Sequence, residues 1–447
     1  MMRKKLFYLL LLLPYFAFAQ TPSTALLGTK TLYLPKQTKL TPVPNGYKAV
    51  YINFVGRHGA RHLTKDIKLS YAYATISKAD SLNELTQSGK DLKQIIINLG
   101  KEEENHVASI SQSGANELKG IAERMFANQK NVFTIDNQVL VATTKKGRTK
   151  ESAEAFLEGL KIKSAPLTQR VTFNYADDDH LRFYDFSKTY DEFKENGNWI
   201  AAYQKLARAK KLDDIANRFA VKFFKTAYLA KLNQTDKINF VEDVYGFYTI
   251  LNAVTAEIKA VGLTIKDLNF KAYFTAADLD ALNALGNAED FLKKAPGLNN
   301  NGIQVRVAAP LLADFINTTD IYLKMKPVVA DLRFAHAETI APFAAIMGIH
   351  GAAEATNNIL TFEQVWKAEN VIPFSANIQW IFYYNPSNRN YLVKFLLNEK
   401  EVAINGLSTK TFPYYSYSTV REHYIKKLKS LNLGLQDNPH EYLLKLK

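Results

Sequence analysis

Arg57, His58, Arg61 and His62 fall within six positions, inside the run Tyr51–Thr64 that reads YINFVGRHGARHLT. Guanidinium groups are costly to desolvate without an anion, and their planar forks suit phosphate oxygens. Flanking guanidinium charge also disfavours the protonated form of His58, so its lone pair survives into mildly acid conditions. A loop of this kind is poor core material and good material for binding and attacking a phosphoryl group.

Such a loop needs a rigid element behind it. Tyr47–Val55 is β-branched and aromatic, the pattern of a buried strand, and Gly56 and Gly59 are expected to break it. Two further strand–loop–helix units follow the same plan. Val139–Thr143 reads as a short strand leading into the basic loop 144–148 and then a helix from about Thr149 through Leu160, whose amino terminus can face an anion. Val328–Phe334 reads as a strand, and Ala335-His336-Ala337-Glu338 starts a helix that runs to Met347. Open α/β sheets place ligands at the carboxyl ends of neighbouring strands, which would bring these loops together. Lys65–Leu99 and Gly114–Phe126 look helical, with Leu85–Gly89 and Ile110–Gly114 as polar lead-ins. Residues 380–384 and 391–397 look like strands, and a helix near Val420–Leu431 closes the chain.

Arg57-His58-Gly59-Ala60-Arg61 resembles the signature of the histidine acid phosphatases, a histidine inside R-H-G-x-R, and Thr64 stands where the longer motif ends in threonine. Leu63 departs from the usual proline. Thr143–Leu160 resembles the family segment that carries a separate phosphate-binding arginine, here Arg148, and Gly114–Leu118 resembles its G-x-x-E-L passage. Ala335–Glu338 resembles the H-A-E element of the multiple inositol polyphosphate phosphatases, where most other branches carry H-D. The resemblance implies His58 as the phosphorylated nucleophile, Arg57, Arg61 and Arg148 around the phosphate, His336 as a donor to a phosphate oxygen, and Glu338 as the proton donor to the leaving group. His62 is the next candidate for that acid. It implies a two-step route through a phosphohistidine that needs neither metal nor cofactor.

Residues 164–301 have a different texture. Past Val171–Tyr175 and the acidic turn Asp177–Asp179, the pattern is helical, including Trp199–Lys211, Asp213–Leu232, Phe240–Val261 and Ala276–Leu285. The expected architecture is therefore α/β: a histidine-phosphatase-like sheet flanked by helices, made of 20–163 and 302–447, with an inserted all-helical cap at 164–301. Pro296–Gly302 is the exit from the cap. Asp177–Asp179 is expected to be a solvated turn, since three consecutive carboxylates rarely converge on one ion. Lys205, Arg208, Lys210 and Lys211 form a basic cluster that either faces the pocket or lies on an exposed helix face. Arg182–Phe186 resembles another family passage, with Ser187 where a cysteine is often present.

Arg3, Lys4 and Lys5 precede the apolar run Leu6–Ala19, and Ala17-Phe18-Ala19 precedes Gln20, which reads as a secretory signal over residues 1–19. Export to a periplasm or outer surface is expected, with no integral membrane segment. The 447 residues contain no cysteine, which excludes disulfides and thiolate metal sites. The formal net charge is +14, three of it in the signal. Nucleic acid, an anionic membrane surface and a polyanionic small substrate could each explain the surplus. No nucleic-acid-binding motif is present, and the arginine loop favours the substrate, inositol hexakisphosphate being the expected one. A broad acid phosphatase acting on sugar phosphates, a mutase and a non-catalytic polyanion binder remain the alternatives.

Overall fold

The computed structural model describes residues 27–35, 39–134, 136–175 and 178–447. Residues 1–19 and Asp177 lie outside them. Among the described residues eight strands form one sheet: β1 (Lys48–Arg57), β2 (Gln138–Thr143), β3 (Val171–Tyr175), β4 (Val328–Ala335), β5 (Asn377–Asn385), β6 (Asn390–Leu397), β7 (Lys400–Glu401) and β8 (Tyr414–Ser416). Their order is β3-β2-β4-β1-β5-β6-β7, with β8 on β6. The first four run parallel, while β5 runs antiparallel to β1 and forms a hairpin with β6. β1 is thus the central strand and sits where the sheet changes from parallel to antiparallel.

Burial explains the strand. From Tyr51 to Arg57 every residue of β1 is buried. Its alternate side chains serve two cores: Tyr51 and Val55 join Trp380 and Phe315 on one face, and Ile52 and Phe54 join Val141, Phe156 and Phe334 on the other. Gly56 does not break β1, contrary to expectation. It pairs with Phe334 and Asn377 inside the sheet. A Cβ there would lie 2.8 Å from the Phe54 ring, so the glycine makes room for that ring.

Gln112–Asn128 and Gly147–Lys163 cover the second face, crossing so closely that a Cβ on Gly159 would meet the Lys119 carbonyl at 2.5 Å. Ala309–Met325, Ala337–Met347 and Tyr417–Ser430 cover the first. Thr86 and Ser111 cap the helices that follow them, accepting from the Gly89 and Gly114 amides as the polar lead-ins suggested. Lys65–Leu99 is not one helix. It divides into Tyr71–Ser81 and Gln87–Glu102, with Asn83 in the left-handed region (φ 57°) between them.

The helical segment differs in extent from the sequence expectation. Val171–Tyr175, counted with it, is the β3 edge of the sheet. From the other side, Tyr71–Ser81 and Gln87–Glu102 pack with the helices: Thr75 and Tyr228 share a hydrogen bond, as do Thr86 and Phe223. Asp213–Leu232 is interrupted after Ala220, and Ala276–Leu285 extends to Lys294. Phe219, Phe223, Phe224 and Phe240 belong to the same continuous core as Tyr51 and Trp380, so the helical layer has no core of its own.

Candidate active site

β1, β4 and β2 are adjacent and parallel, so their carboxyl ends deliver 57–62, 336–338 and 144–148 to one edge. The His58 amide donates to the Ala335 carbonyl at 3.0 Å, and the Arg57 amide to Ala376 at 2.7 Å. Gly59 lies on the start of Gln112–Asn128. A Cβ on Gly59 would meet the Gly114 carbonyl at 2.7 Å, and one on Gly114 would meet the Ala60 carbonyl at 2.1 Å. The Glu117 carboxylate accepts from the amides of Ala60 and Tyr33 and from the Ser375 hydroxyl. The G-x-x-E-L passage therefore fastens the arginine loop.

His58 and His336 are brought together, both buried, with ring centroids 5.7 Å apart. His58 Nδ1 lies 3.0 Å from the Gly59 carbonyl, which can only accept; the proton is on Nδ1 and the Nε2 lone pair is available for attack. Burial, then Arg57 and Arg61, hold His58 well below the usual imidazole value. Burial and Arg148 push His336 down to about 3. Arg148 Nη2 stands 3.2 Å from His336 Nδ1, and because a guanidinium only donates, Nδ1 accepts. Nε2 then carries the proton and donates to Thr144 Oγ1 at 3.0 Å.

The three arginines gather as expected, yet not identically. Arg57 lies with its guanidinium over Phe374 (4.8 Å) and donates through Nη1 to the carbonyls of Thr29 and Ile372. Arg61 donates to the His62 carbonyl at 2.7 Å. The Nε groups of Arg57, Arg61 and Arg148 are all buried and make no hydrogen bond. Burial lowers Arg57 to about 10 against the pull of Glu338, Asp290 and Glu117, and burial with repulsion from Arg57 and Arg148 lowers Arg61 to about 9. Positive charge here exceeds what the surrounding protein neutralises, which is the electrostatic form of an anion site.

Glu338 is in the cleft but not as a resting acid. Its Oε1 lies 2.9 Å from Lys294 Nζ, and Lys294 also pairs with Asp290 at 2.7 Å. Burial favours the neutral carboxyl, but Lys294 and His336 outweigh it and hold Glu338 below its usual range. His62 is not in the cleft; it turns toward Glu102 and Glu103. The acidic turn does not converge either: Asp178 faces Lys145 (3.7 Å) and Asp179 faces His440 (2.7 Å).

Several residues around the cleft carry no sequence signature. Lys30 sits in the short turn Gly28–Lys30 before β1, donates to Thr249 and is pushed down to about 8 by burial and by Arg61. Lys294 ends the long helix Ala276–Lys294, where a Lys-Lys pair before Ala-Pro was the only hint. Tyr184, from the passage 182–186, faces His336 edge-on at 6.5 Å. Arg148, Arg182, Lys293, Lys294 and Glu338 line a cavity of about 450 Å³. It shares Glu289 with a larger one of about 920 Å³, which Lys30, Arg208 and Lys211 line. Of the basic cluster, Arg208 and Lys211 thus face this cavity, while Lys205 is exposed.

A family model described as the histidine phosphatase superfamily (branch 2) matches residues 51–398. Multiple inositol polyphosphate phosphatase 1 of Gallus gallus is 24% identical over 331 residues, which span 70% of this chain and 68% of that protein. The crystal structure of the Bifidobacterium longum multiple inositol polyphosphate phosphatase in complex with inositol hexasulfate superposes with a TM-score of 0.78 at 22% identity, covering 89% of this chain and 97% of that one. The phytase from D. castellii superposes with a TM-score of 0.67 at 14% identity, covering 94% of this chain and 88% of that one. The match spans most of the chain and includes the arginine loop, Arg148 and the His336–Glu338 element, and the chain belongs to the histidine phosphatase superfamily, branch 2, a family of phosphatases.

Proposed function

We propose that the protein hydrolyses inositol polyphosphates such as inositol hexakisphosphate, with His58 as the nucleophile. The observation that carries this reading is the trio of buried, unpartnered Nε groups of Arg57, Arg61 and Arg148 beside His58. A phosphate supplies the acceptors they lack, and the same charges stabilise the equatorial oxygens during transfer. Lys30, Arg208, Lys211, Lys293 and Lys294 in the adjoining cavities give the remaining phosphates of a polyphosphorylated ring a place to lie. The similarity to inositol polyphosphate phosphatases supports the same substrate class.

His58 Nε2 attacks phosphorus, the P–O bond to the ring oxygen breaks, and water later cleaves the phosphohistidine. A dianionic phosphate beside His336 reverses the local charge that keeps this imidazole neutral, so that it can take up a proton and donate to phosphate. The same reversal gives Glu338 its role. A substrate phosphate competes for Lys294, and a carboxylate that loses this partner rises toward protonation. It can then give its proton to the departing alkoxide and afterwards take one from water. Residues 1–19 fit export to a periplasm or outer surface, and no helix among the described residues is long and apolar enough to cross a membrane. The helical segment up to 301 acts as the cap that closes over the ring.

Phosphate release from inositol hexakisphosphate and from a nitrophenyl ester, at equal concentration, tests the reading. Wild type should prefer the former in kcat/KM, and His58→Ala should lose on the order of 10³-fold or more on both while staying folded. Equal kcat/KM for the two esters favours the broad acid phosphatase, and substantial turnover by the alanine variant removes His58 as nucleophile. Glu338→Gln should lose roughly 10²–10⁴-fold on the inositol ester and much less in the pre-steady-state burst of nitrophenolate. Equal slowing of both would exclude it as the acid.

A further inference from the structure

Behind the arginine loop lies a second cluster of titratable groups that takes no part in the phosphate pocket. His62 is 1% exposed, Glu102 0% and Glu103 2%, while His106 and Glu257 are half-buried. Glu102 and Glu103 end the helix Gln87–Glu102, where the helix dipole disfavours carboxylates. His62 Nδ1 lies 3.2 Å from Glu102 Oε1 and 3.4 Å from Glu103 Oε1. Both distances exceed the roughly 2.7–2.9 Å of a charge-assisted N–H···O⁻ bond. His62 Nδ1, both Glu102 oxygens and Glu103 Oε1 make no well-aligned hydrogen bond, although the imidazole lies within ion-pair range of both carboxylates.

Four orphaned polar atoms converge, then, in a site with almost no access to water. A proton on His62 Nδ1 can be donated to one carboxylate only, which leaves the other charged without a cation, and Glu103 has just the Leu63 amide on its second oxygen. Donors at ~2.1 Å around one tetrahedral ion stand about 3.4 Å apart, close to the observed separations. His106 completes the set. Its Nδ1 lies 2.9 Å from the Glu102 carbonyl, which can only accept, so Nε2 keeps its lone pair. A backbone carbonyl on the far nitrogen is the usual way a metal-binding imidazole is oriented. One ligand atom from each of His62, Glu102 and His106 lies within 4.8 Å of the others.

We propose that His62, His106 and Glu102, with the Glu103 carboxylate beside them, bind one divalent transition-metal cation of the class that accepts imidazole and carboxylate together, such as Zn²⁺, Co²⁺ or Mn²⁺. Two carboxylates balance its charge. The site has a positioning role: His62 follows Arg61, whose Nη1 donates to the His62 carbonyl, and Glu103 Oε2 accepts the Leu63 amide. The ion fastens the end of the arginine loop from behind and touches no substrate.

The test uses the full chain, stripped with chelator and titrated with Zn²⁺ by calorimetry and with Co²⁺ by visible absorption. Wild type should bind one equivalent of each, and Zn²⁺ should raise its Tm. Glu102→Gln and His106→Phe should each weaken binding at least tenfold and remove the Tm shift. His106 is half-buried, so its variant keeps the test decisive if Glu102→Gln fails to fold. Absence of one-equivalent binding in wild type overturns the proposal and leaves a proton as the occupant. Binding that survives both substitutions also overturns it, placing the ion elsewhere on the chain.

Discussion

Arg333 and Arg57 leave neighbouring parallel strands two registers apart, and both are nearly inaccessible, at 6% and 3% exposure. Their surroundings are opposite. Arg333 pairs with Asp314 at 2.8 Å, donates to Asn53 at 2.6 Å and lies over the Phe315 ring. Burial disfavours its charge, but Asp314 and Asp331 more than restore it, and its pKa stands above the usual value. Arg57 has no carboxylate in ion-pair range among the described residues. It leans on two backbone carbonyls, keeps an orphaned Nε and is pushed down to about 10. An arginine whose partner is built in holds the sheet together; an arginine whose partner is missing waits for one.

Substituting one arginine of each kind should separate the two. Arg333→Met leaves Asp314 without its counter-charge and should cost about 3–5 kcal/mol in denaturant unfolding. Arg61→Met relieves repulsion and should leave the ligand-free protein as stable as wild type or more so, while kcat/KM falls roughly 10²–10³-fold. Equal loss of stability in the two variants would mean that the pocket arginines are structural after all. The ligand sharpens the contrast. Inositol hexasulfate at one hundred times its Kd should stabilise wild type by about 2.7 kcal/mol. Arg333→Met should keep that increment and Arg61→Met should lose most of it, and the increment should shrink with added salt, as screening requires. An Arg61→Met variant stabilised as much as wild type would place the anion elsewhere.

The pocket was more legible in the sequence than its control. Arg57, His58, Arg61, Arg148, His336 and Glu338 each follow or border a strand, so local pattern and a known motif both point to them. Lys30 and Lys294 come from the segment before β1 and from the far end of a long helix, and only the closed fold sets them beside the motif. Lys294 matters because it reverses the expected resting state of Glu338. His62 shows the limit from the other direction: it sits beside Arg61 in sequence, yet its ring turns to Glu102 and Glu103, residues that no motif marks. Gly56 misled because a glycine in a strand reads as a break unless one knows that the Phe54 ring occupies its Cβ position. Val171–Tyr175 misled because helical pattern follows it, although its partner is β2.

The smallest expected effect tests whether the pocket's charge surplus reaches the histidines. His336 is pushed from the usual imidazole value to about 3 by burial first and Arg148 second. Between roughly pH 6.5 and 3 the unfolded chain binds a proton at this position and the native protein does not. Stability is therefore lost as pH falls through that window, at up to ~1.4 kcal/mol per pH unit for this one group. Denaturant unfolding at pH 7, 6 and 5 should show a steeper decline for wild type than for His336→Gln, which cannot titrate. Saturating inorganic phosphate should flatten the wild-type decline, because an anion beside the ring lets the native protein hold the proton too. The Arg333 region predicts no such response to phosphate, since its charges are already matched. A pH slope identical in wild type and His336→Gln would show that the surplus stops at the arginines, and the neutral imidazole would then owe its state to something other than the phosphate pocket.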